Sequence, residues 1–329
     1  MSRTLLAATV LAAALALALS ACGSDAATDE RFDVMLDFIV NPDHAGIYVA
    51  EERGYFDDAG LDVALHVPPD PAAPLKQVAA GRVDLAISYE PEVVLARAQG
   101  IDVVAVAALV NGPLTSLISL PAAGVEDPAD LAGKTVVTAG IPYQSAYLET
   151  ILENAGVDPE AVKEVNVGFN LIPPLVSGRA DAMLGGFLNV EGVQLAAEGE
   201  DPRVVPVDEL GVPTYDELVL VAAGDRVRED PDQIEKFIAA LARGTEAAVA
   251  DPALASRVIV EAGEGLDPGL TREQIDVTLP RLRARPGHPY GDMDAARWQR
   301  FADYLAAQGQ IDAAPQADEL LTNELLPAG

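Results

Sequence analysis

Cysteine is nearly absent from this 329-residue chain, whose one thiol, Cys22, closes an apolar run near the amino terminus. No internal disulfide can form, so the fold beyond it depends on its core. Positive charge is scarce as well: 21 Lys and Arg stand against 52 Asp and Glu, a formal net charge of −31. Such a field repels nucleic acid and anionic lipid surfaces, because phosphate binding needs clustered cations that displace counterions. The histidines, His44, His66 and His288, are scattered without the spacing of a zinc site. In "GKT", Gly133 to Thr135, the preceding glycine of a phosphate loop is missing, since Pro128 stands there. Neither G-x-G-x-x-G after a strand nor G-x-S-x-G occurs. No metal and no cofactor is expected on these grounds.

What is present is core. Half of the residues, 50 %, are hydrophobic, and the length leaves room for roughly two ordinary domains. The first residues read as a secretory leader: Arg3 gives a positive start, Leu5 to Leu19 are apolar, and "LSAC" ends the run with small residues. A membrane span needs about twenty apolar residues, more than this run holds. "LSAC" resembles the lipobox of bacterial lipoproteins. That resemblance implies a signal peptide over 1–21, a lipid on Cys22, an extracytoplasmic protein anchored to the cell membrane, and a tether over 22–30.

Beyond the tether, strands and helices alternate. "FDVMLDFIV" reads as a strand and "HAGIYVAEER" as a helix stopped by Gly54, with Asp43 placed to cap it. In "LDVALHV", Leu61, Val63, Leu65 and Val67 share one face at period two. Such alternation predicts an α/β fold with a largely parallel sheet. A weak repeat supports two similar lobes: Gly81-Arg82-x-Asp84 and Gly178-Arg179-x-Asp181 each sit between a helix end and a short strand. Lobe I is expected over 31–120 and 212–329 and lobe II over 121–211, so that two crossings form a hinge. Ile234, Phe237, Ile238 and Leu241, and then Trp298, Phe301 and Leu305, recur at helical spacing and are expected in the core.

Ligands of open α/β sheets bind beyond the carboxyl ends of the strands. Those ends bring together Asp37, Phe38, Tyr89, Glu90, Phe187, Asn189 and Glu191, flat rings interleaved with carboxylates. A planar, amino-bearing heteroaromatic would stack on the rings and donate to a carboxylate. Tyr143 and Ser145, before the helix in "TAGIPYQSAYLETILENAG", add a candidate wall in the second lobe. His44 is either a locally packed first-turn residue or a neutral hydrogen-bonding group at the cleft. His66 and His288 read as solvated.

The stretches "NPDHAGIYVAEERGYFDDAGLDV", "AAGRVDLAISYEPEVVLARAQG", "VNVGFNLIPPLVSGRADAMLGG" and "VDELGVPTYDELVLVA" together resemble the solute-binding lipoproteins of ABC importers that carry thiamine pyrimidine precursors, a group that includes the fungal thiamine-pyrimidine synthase. The resemblance implies a two-lobed periplasmic-binding-protein fold of type II-like order. It implies a monomer that closes on hydroxymethylpyrimidine or its formylamino relative and delivers it to a permease with its ATPase subunit. Carried over, Asp37, Phe38, Tyr89 and Glu191 contact the ring and His44 borders the pocket. Many relatives carry tryptophan where this chain has Phe38, and an aromatic-tryptophan pair where it has Phe187 and Leu188. The stacking surface is therefore smaller, and riboflavin, the ligand of a similar importer branch, is the alternative. The synthase uses a lysine and a histidine four apart, where Ser88 and Glu92 stand here, and a run of cysteines that this chain lacks. A binding protein rather than an enzyme is expected.

Overall fold

The computed structural model describes residues 31–327. The expected leader, Cys22 and the tether fall outside the described residues. Strands β1 (Arg31–Met35), β2 (Asp62–His66), β3 (Leu85–Ser88) and β4 (Val103–Val110) come first, and β5 (Thr115–Ser119), β6 (Thr135–Thr138), β7 (Lys163–Asn166), β8 (Ala182–Phe187) and β9 (Arg203–Pro206) follow. Strand β10 (Leu218–Ala223) then returns to the first group. Two five-stranded sheets result, in the orders β2-β1-β3-β10-β4 and β7-β6-β8-β5-β9.

The Gly-Arg-x-Asp repeat has one structural meaning in both sheets. Gly81 and Gly178 turn the chain at φ +63° and +68°, where a side chain would be strained. The aspartate then ties the start of one strand to its parallel neighbour. Asp84 Oδ2 accepts from Asp33 N at 2.7 Å, and Asp181 Oδ2 accepts from Thr135 N at 2.9 Å. Strands β1-β2-β3 and β6-β7-β8 are thus the same parallel unit, used twice.

The parallel expectation holds for these units, and each sheet becomes mixed where the chain passes between them. β10 lies antiparallel between β3 and β4, and β5 lies antiparallel between β8 and β9. Because β5 hydrogen-bonds β8 and β9, the first crossing is at 111–114, ahead of the boundary at residue 121 expected from sequence. The second crossing covers the stretch after β9, up to Glu217.

The helices of seven residues or more are α1 (Ala45–Glu52), α2 (Glu90–Ala98), α3 (Pro142–Asn154), α4 (Glu191–Ala197), α5 (Pro231–Ala250), α6 (Pro252–Ala262), α7 (Pro268–Thr278) and α8 (Ala295–Ala307). The predicted stripes on α5 and α8 are buried: Ile234, Phe237 and Ile238, and Trp298, Phe301 and Leu305. Phe237 stacks on Phe56 with centroids 4.9 Å apart and contacts Phe32 of β1 at 5.5 Å, which ties α5 to the first sheet. Helices α1 and α5 approach through glycine: a Cβ on Gly244 would lie 2.3 Å from the Gly46 carbonyl oxygen. This contact fixes the start of α1 and with it the turn that precedes it. Helix α8 spans the two halves, since Tyr304 Oη donates to Thr150 of α3 at 2.7 Å while Trp298 Nε1 donates to Asp216 at 2.7 Å.

Candidate functional site

The chain leaves β1 at Met35 and bends through Leu36 to Val40 into a 3-10 turn, Pro42–His44, that starts α1. Asn41, not Asp43, caps this turn. Its Oδ1 accepts from Asp43 N at 2.8 Å, while its own N–H donates to His44 Nδ1 at 3.2 Å. Pro42 at the first position moves the cap one turn earlier than the α-helix alone would require. A backbone N–H can only donate, so His44 Nδ1 is an acceptor and its proton sits on Nε2. Nε2–H then donates to Asp37 Oδ1 at 2.8 Å, and Tyr89 Oη donates to Asp37 Oδ2 at 2.8 Å. The Asp37 carboxyl is thereby locked in orientation from two sides.

Asp37 and Tyr89 form one wall of a cavity of about 270 Å³ between the carboxyl ends of the two parallel units. Phe38 stands at its edge, packed against Phe169 with centroids 4.7 Å apart at 80°. Tyr143 meets Tyr89 at 5.3 Å, and Phe187 closes the far side. Glu191 opens α4, its Oε2 accepting from Phe187 N at 2.7 Å. Burial pushes its carboxyl up to about 7, against the opposing pull of the Phe187 and Glu191 N–H groups. Its side chain keeps partial solvent access because the cavity itself is reachable. Among the described residues, no lysine or arginine lines this cavity.

Of the residues singled out from sequence, Asp37, Phe38, Tyr89, Tyr143, Phe187 and Glu191 come together on this cavity, and four do not. His44 stands behind Asp37, fully buried, as its hydrogen-bond partner. Glu90 faces the crossings instead: its Oε2 accepts from Asp216 N at 2.6 Å, and burial next to Asp216 raises its carboxyl well above the usual range. Ser145 is exposed and donates to Glu164 at 2.9 Å, because it lies one position past the buried face of α3 that Tyr143 and Gln144 occupy. Asn189 is wholly buried, and its Nδ2 donates to Asp43 Oδ1 and Thr278 Oγ1, each at 2.8 Å. It joins the β8–α4 loop to the turn before α1 and to the end of α7.

The solvated reading holds for His288 and changes for His66. His66 is half-buried, its Nε2 2.5 Å from Asp33 Oδ1, whereas His288 is exposed beside Asp292. Lys134 is half-buried too, donating to the Ala123 carbonyl at 2.6 Å.

Sequence reasoning passed over Gln144, Phe169, Leu171 and Gly185, and the whole contribution of α7, which supplies Leu270, Thr271 and Gln274. "VGFNLIPP" carried a signal for Phe169, an isolated aromatic three residues past the end of β7. Nothing local marks α7, since its place at the cleft depends on how α6 and α7 fold back over α1 and α4.

Two mixed sheets joined by two crossings, with a ligand-sized cavity at the carboxyl ends of their parallel strands, define the fold of the periplasmic solute-binding proteins. The alkanesulfonate-binding protein SsuA from Xanthomonas axonopodis pv. citri, solved with MOPS bound, superposes with a TM-score of 0.69 at 16 % identity, covering 89 % of this chain and 98 % of that one. The chain belongs to the NMT1/THI5-like family, which matches residues 41–255. A formylaminopyrimidine-binding protein of Halalkalibacterium halodurans is 36 % identical over 93 % of this chain and 95 % of its own length. The 4-amino-5-hydroxymethyl-2-methylpyrimidine phosphate synthase THI13 of Saccharomyces cerevisiae is 25 % identical over 74 % of this chain and 75 % of its own.

Proposed function

We propose that this protein is the substrate-binding component of an ABC importer, lipid-anchored outside the cytoplasm through Cys22, and that its cargo is a small aminopyrimidine of the thiamine-precursor class. The observation that carries this reading is the chemistry of the cavity: five aromatic rings, Phe38, Tyr89, Tyr143, Phe169 and Phe187, with the carboxyl groups of Asp37, Glu191 and Asp267 and, among the described residues, no cationic side chain. Rings stack on a flat heterocycle, and a carboxyl accepts from its exocyclic amine. An anion such as a sulfonate would meet carboxylates here without a counter-charge, which costs several kcal/mol in so buried a place. The fold is shared with sulfonate binders, and the cargo is not.

At about 270 Å³ the cavity lies just below the roughly 300–1,000 Å³ of small-molecule sites. That size suits one ring with short substituents and crowds the three fused rings of a flavin, which makes riboflavin the second reading. The 36 % identity to a formylaminopyrimidine-binding protein points the same way. An enzyme reading has less support. Ser88 and Glu92 are buried and bonded to each other at 2.9 Å, so neither presents an amine or an imidazole to a cofactor aldehyde. The halves carried by the two sheets would act as lobes that close on the ligand and offer the permease a closed surface.

Calorimetric titration of the purified protein with formylaminopyrimidine, hydroxymethylpyrimidine, riboflavin and an alkanesulfonate tests the proposal. Heat is expected with the pyrimidines. Silence with both, or binding of riboflavin alone, refutes it.

A further inference from the structure

Gln144 is buried to 1 % exposure on the inner face of α3, yet its amide is only half used. Its Oε1 accepts from Ala139 N at 2.9 Å, and since a backbone N–H can only donate, this bond fixes which end of the amide is oxygen. Nε2 therefore points the other way, where it has no acceptor among the described residues. The other buried amides on the cavity wall differ in this respect. Asn41 Nδ2 donates to the Ile39 carbonyl, and Gln274 Nε2 donates to the Val190 carbonyl.

The wall opposite is shaped to leave this donor room. Gly185 has φ +107° and is skipped in the pairing of β5 with β8, where Ser116 faces Gly186 and Leu117 faces Leu184. It is the extra residue of a β-bulge, a device that re-aims a strand beside a site. A Cβ on Gly185 would fall 2.2 Å from Gln144 Nε2. Both residues line the cavity. Bulge, glycine and oriented amide thus form one arrangement whose output is a fixed N–H donor facing the ligand space.

We propose that Gln144 is a specificity-determining residue, selecting ligands that carry a hydrogen-bond acceptor, a ring nitrogen or a carbonyl oxygen, to complement the acceptor that Glu191 offers. The inference rests on the pyrimidine reading and adds the second half of the recognition pattern. A ligand without that acceptor leaves the Nε2 donor buried and unpaired, a penalty that discriminates more sharply than lost apolar contact.

The test compares wild type with Gln144→Met, which removes the donor, and Gln144→Glu, which keeps an acceptor for Ala139 N–H and so controls for the fold of the wall. Three probes are titrated into each: formylaminopyrimidine, its deformylated aminomethyl analogue, and the benzene analogue that keeps the formylaminomethyl arm and the ring amine but lacks ring nitrogens. Gln144→Met is expected to weaken formylaminopyrimidine about 10–100-fold, as for one lost buried hydrogen bond. The same substitution should weaken the probe that lacks the relevant acceptor by far less. Sparing of the aminomethyl probe identifies the carbonyl as the partner, and sparing of the benzene probe identifies a ring nitrogen. Gln144→Glu should reproduce the loss in its ionised form, whose carboxylate offers acceptors alone. Equal losses on all three probes, or none on any, overturn the inference while leaving the pyrimidine reading intact. A wild-type protein that binds neither pyrimidine overturns both.

Discussion

Replacing Asp43 by asparagine should stabilise this protein at neutral pH and above, the reverse of the usual result for a buried, hydrogen-bonded carboxylate. Asp43 is 4 % exposed, and its Oδ1 receives Asn189 Nδ2. Its Oδ2 and Asn189 Oδ1 are both buried with no hydrogen bond among the described residues, two acceptors lacking a donor. Burial, then the nearby Asp37, Glu191 and Glu217, push its carboxyl up to about 8, and the Asn189 bond only partly offsets them. The folded value lies above the unfolded one of 3.8, so the stability it contributes is complete below about 3.8 and is lost as pH rises through about 8. Between those limits the loss is at most about 1.4 kcal/mol per pH unit, or about 3 kcal/mol from pH 5 to 7. An asparagine at this position would have no proton to lose, and its Nδ2 would replace the orphaned Oδ2 with a donor available to Asn189 Oδ1. Thermal melts of Asp43→Asn and wild type at pH 5 and pH 7.5 check this. The variant should match wild type at pH 5 and exceed it by about 1–3 kcal/mol at pH 7.5, a few degrees in Tm. An equal difference at both pH values, or a variant less stable at pH 7.5, would refute the argument that Asp43 holds its proton in the fold.

Glu191→Gln should weaken pyrimidine binding about 10–100-fold, the 1–3 kcal/mol of a charge-assisted hydrogen bond, while wild-type affinity should change with pH around 7, where burial places this carboxyl. Unchanged calorimetric affinity in the variant removes Glu191 from recognition. Trp298, the single tryptophan, donates to Asp216 Oδ2 at 2.7 Å beside the second crossing. Its emission should shift when ligand closes the cleft, and a ligand that binds with no change in emission argues against motion at that crossing. With a net charge of −31, the fold should gain stability from screening. The urea midpoint is expected to rise from low salt to about 1 M sodium chloride, where the screening length falls to about 3 Å. A flat or falling midpoint would show that self-repulsion is not a significant term.

The sequence carried the layered fold well and the site unevenly, for physical reasons. Strand alternation and the Gly-Arg-x-Asp repeat are local patterns, and each maps to a local event: a left-handed glycine turn and a carboxylate closing onto the next parallel strand. Asp37, Tyr89 and Glu191 were legible because strand carboxyl ends are predictable places. Ser145 and Glu90 misled because helix phase decides which neighbour faces inward. One residue separates buried Gln144 from exposed Ser145, and Glu90 turns toward the Asp216 backbone rather than the cleft. The Asn189 bridge and the α7 wall depend on contacts between segments 89 to 146 residues apart, which no periodicity encodes.

Glu217 explains how one scaffold can carry so acidic a cavity without collapsing at its seam. Its carboxyl accepts from Leu114 N, Thr115 N, Thr115 Oγ1 and Tyr215 Oη at 2.6 to 2.9 Å, which binds the first crossing to the second. Four donors would ordinarily hold a carboxylate low, yet burial pushes this one up to about 7. The seam is therefore built from groups near the balance between charged and neutral forms. In the cavity the same balance applies to Glu191, whose ionised carboxylate would accept from the amine of an aminopyrimidine. A sulfonate offers acceptors alone and gains nothing from a carboxylate. On the proposed reading, carboxyls rather than cations at the strand ends favour amino-bearing rings over anions, while Glu217 ties the two crossings together beside them.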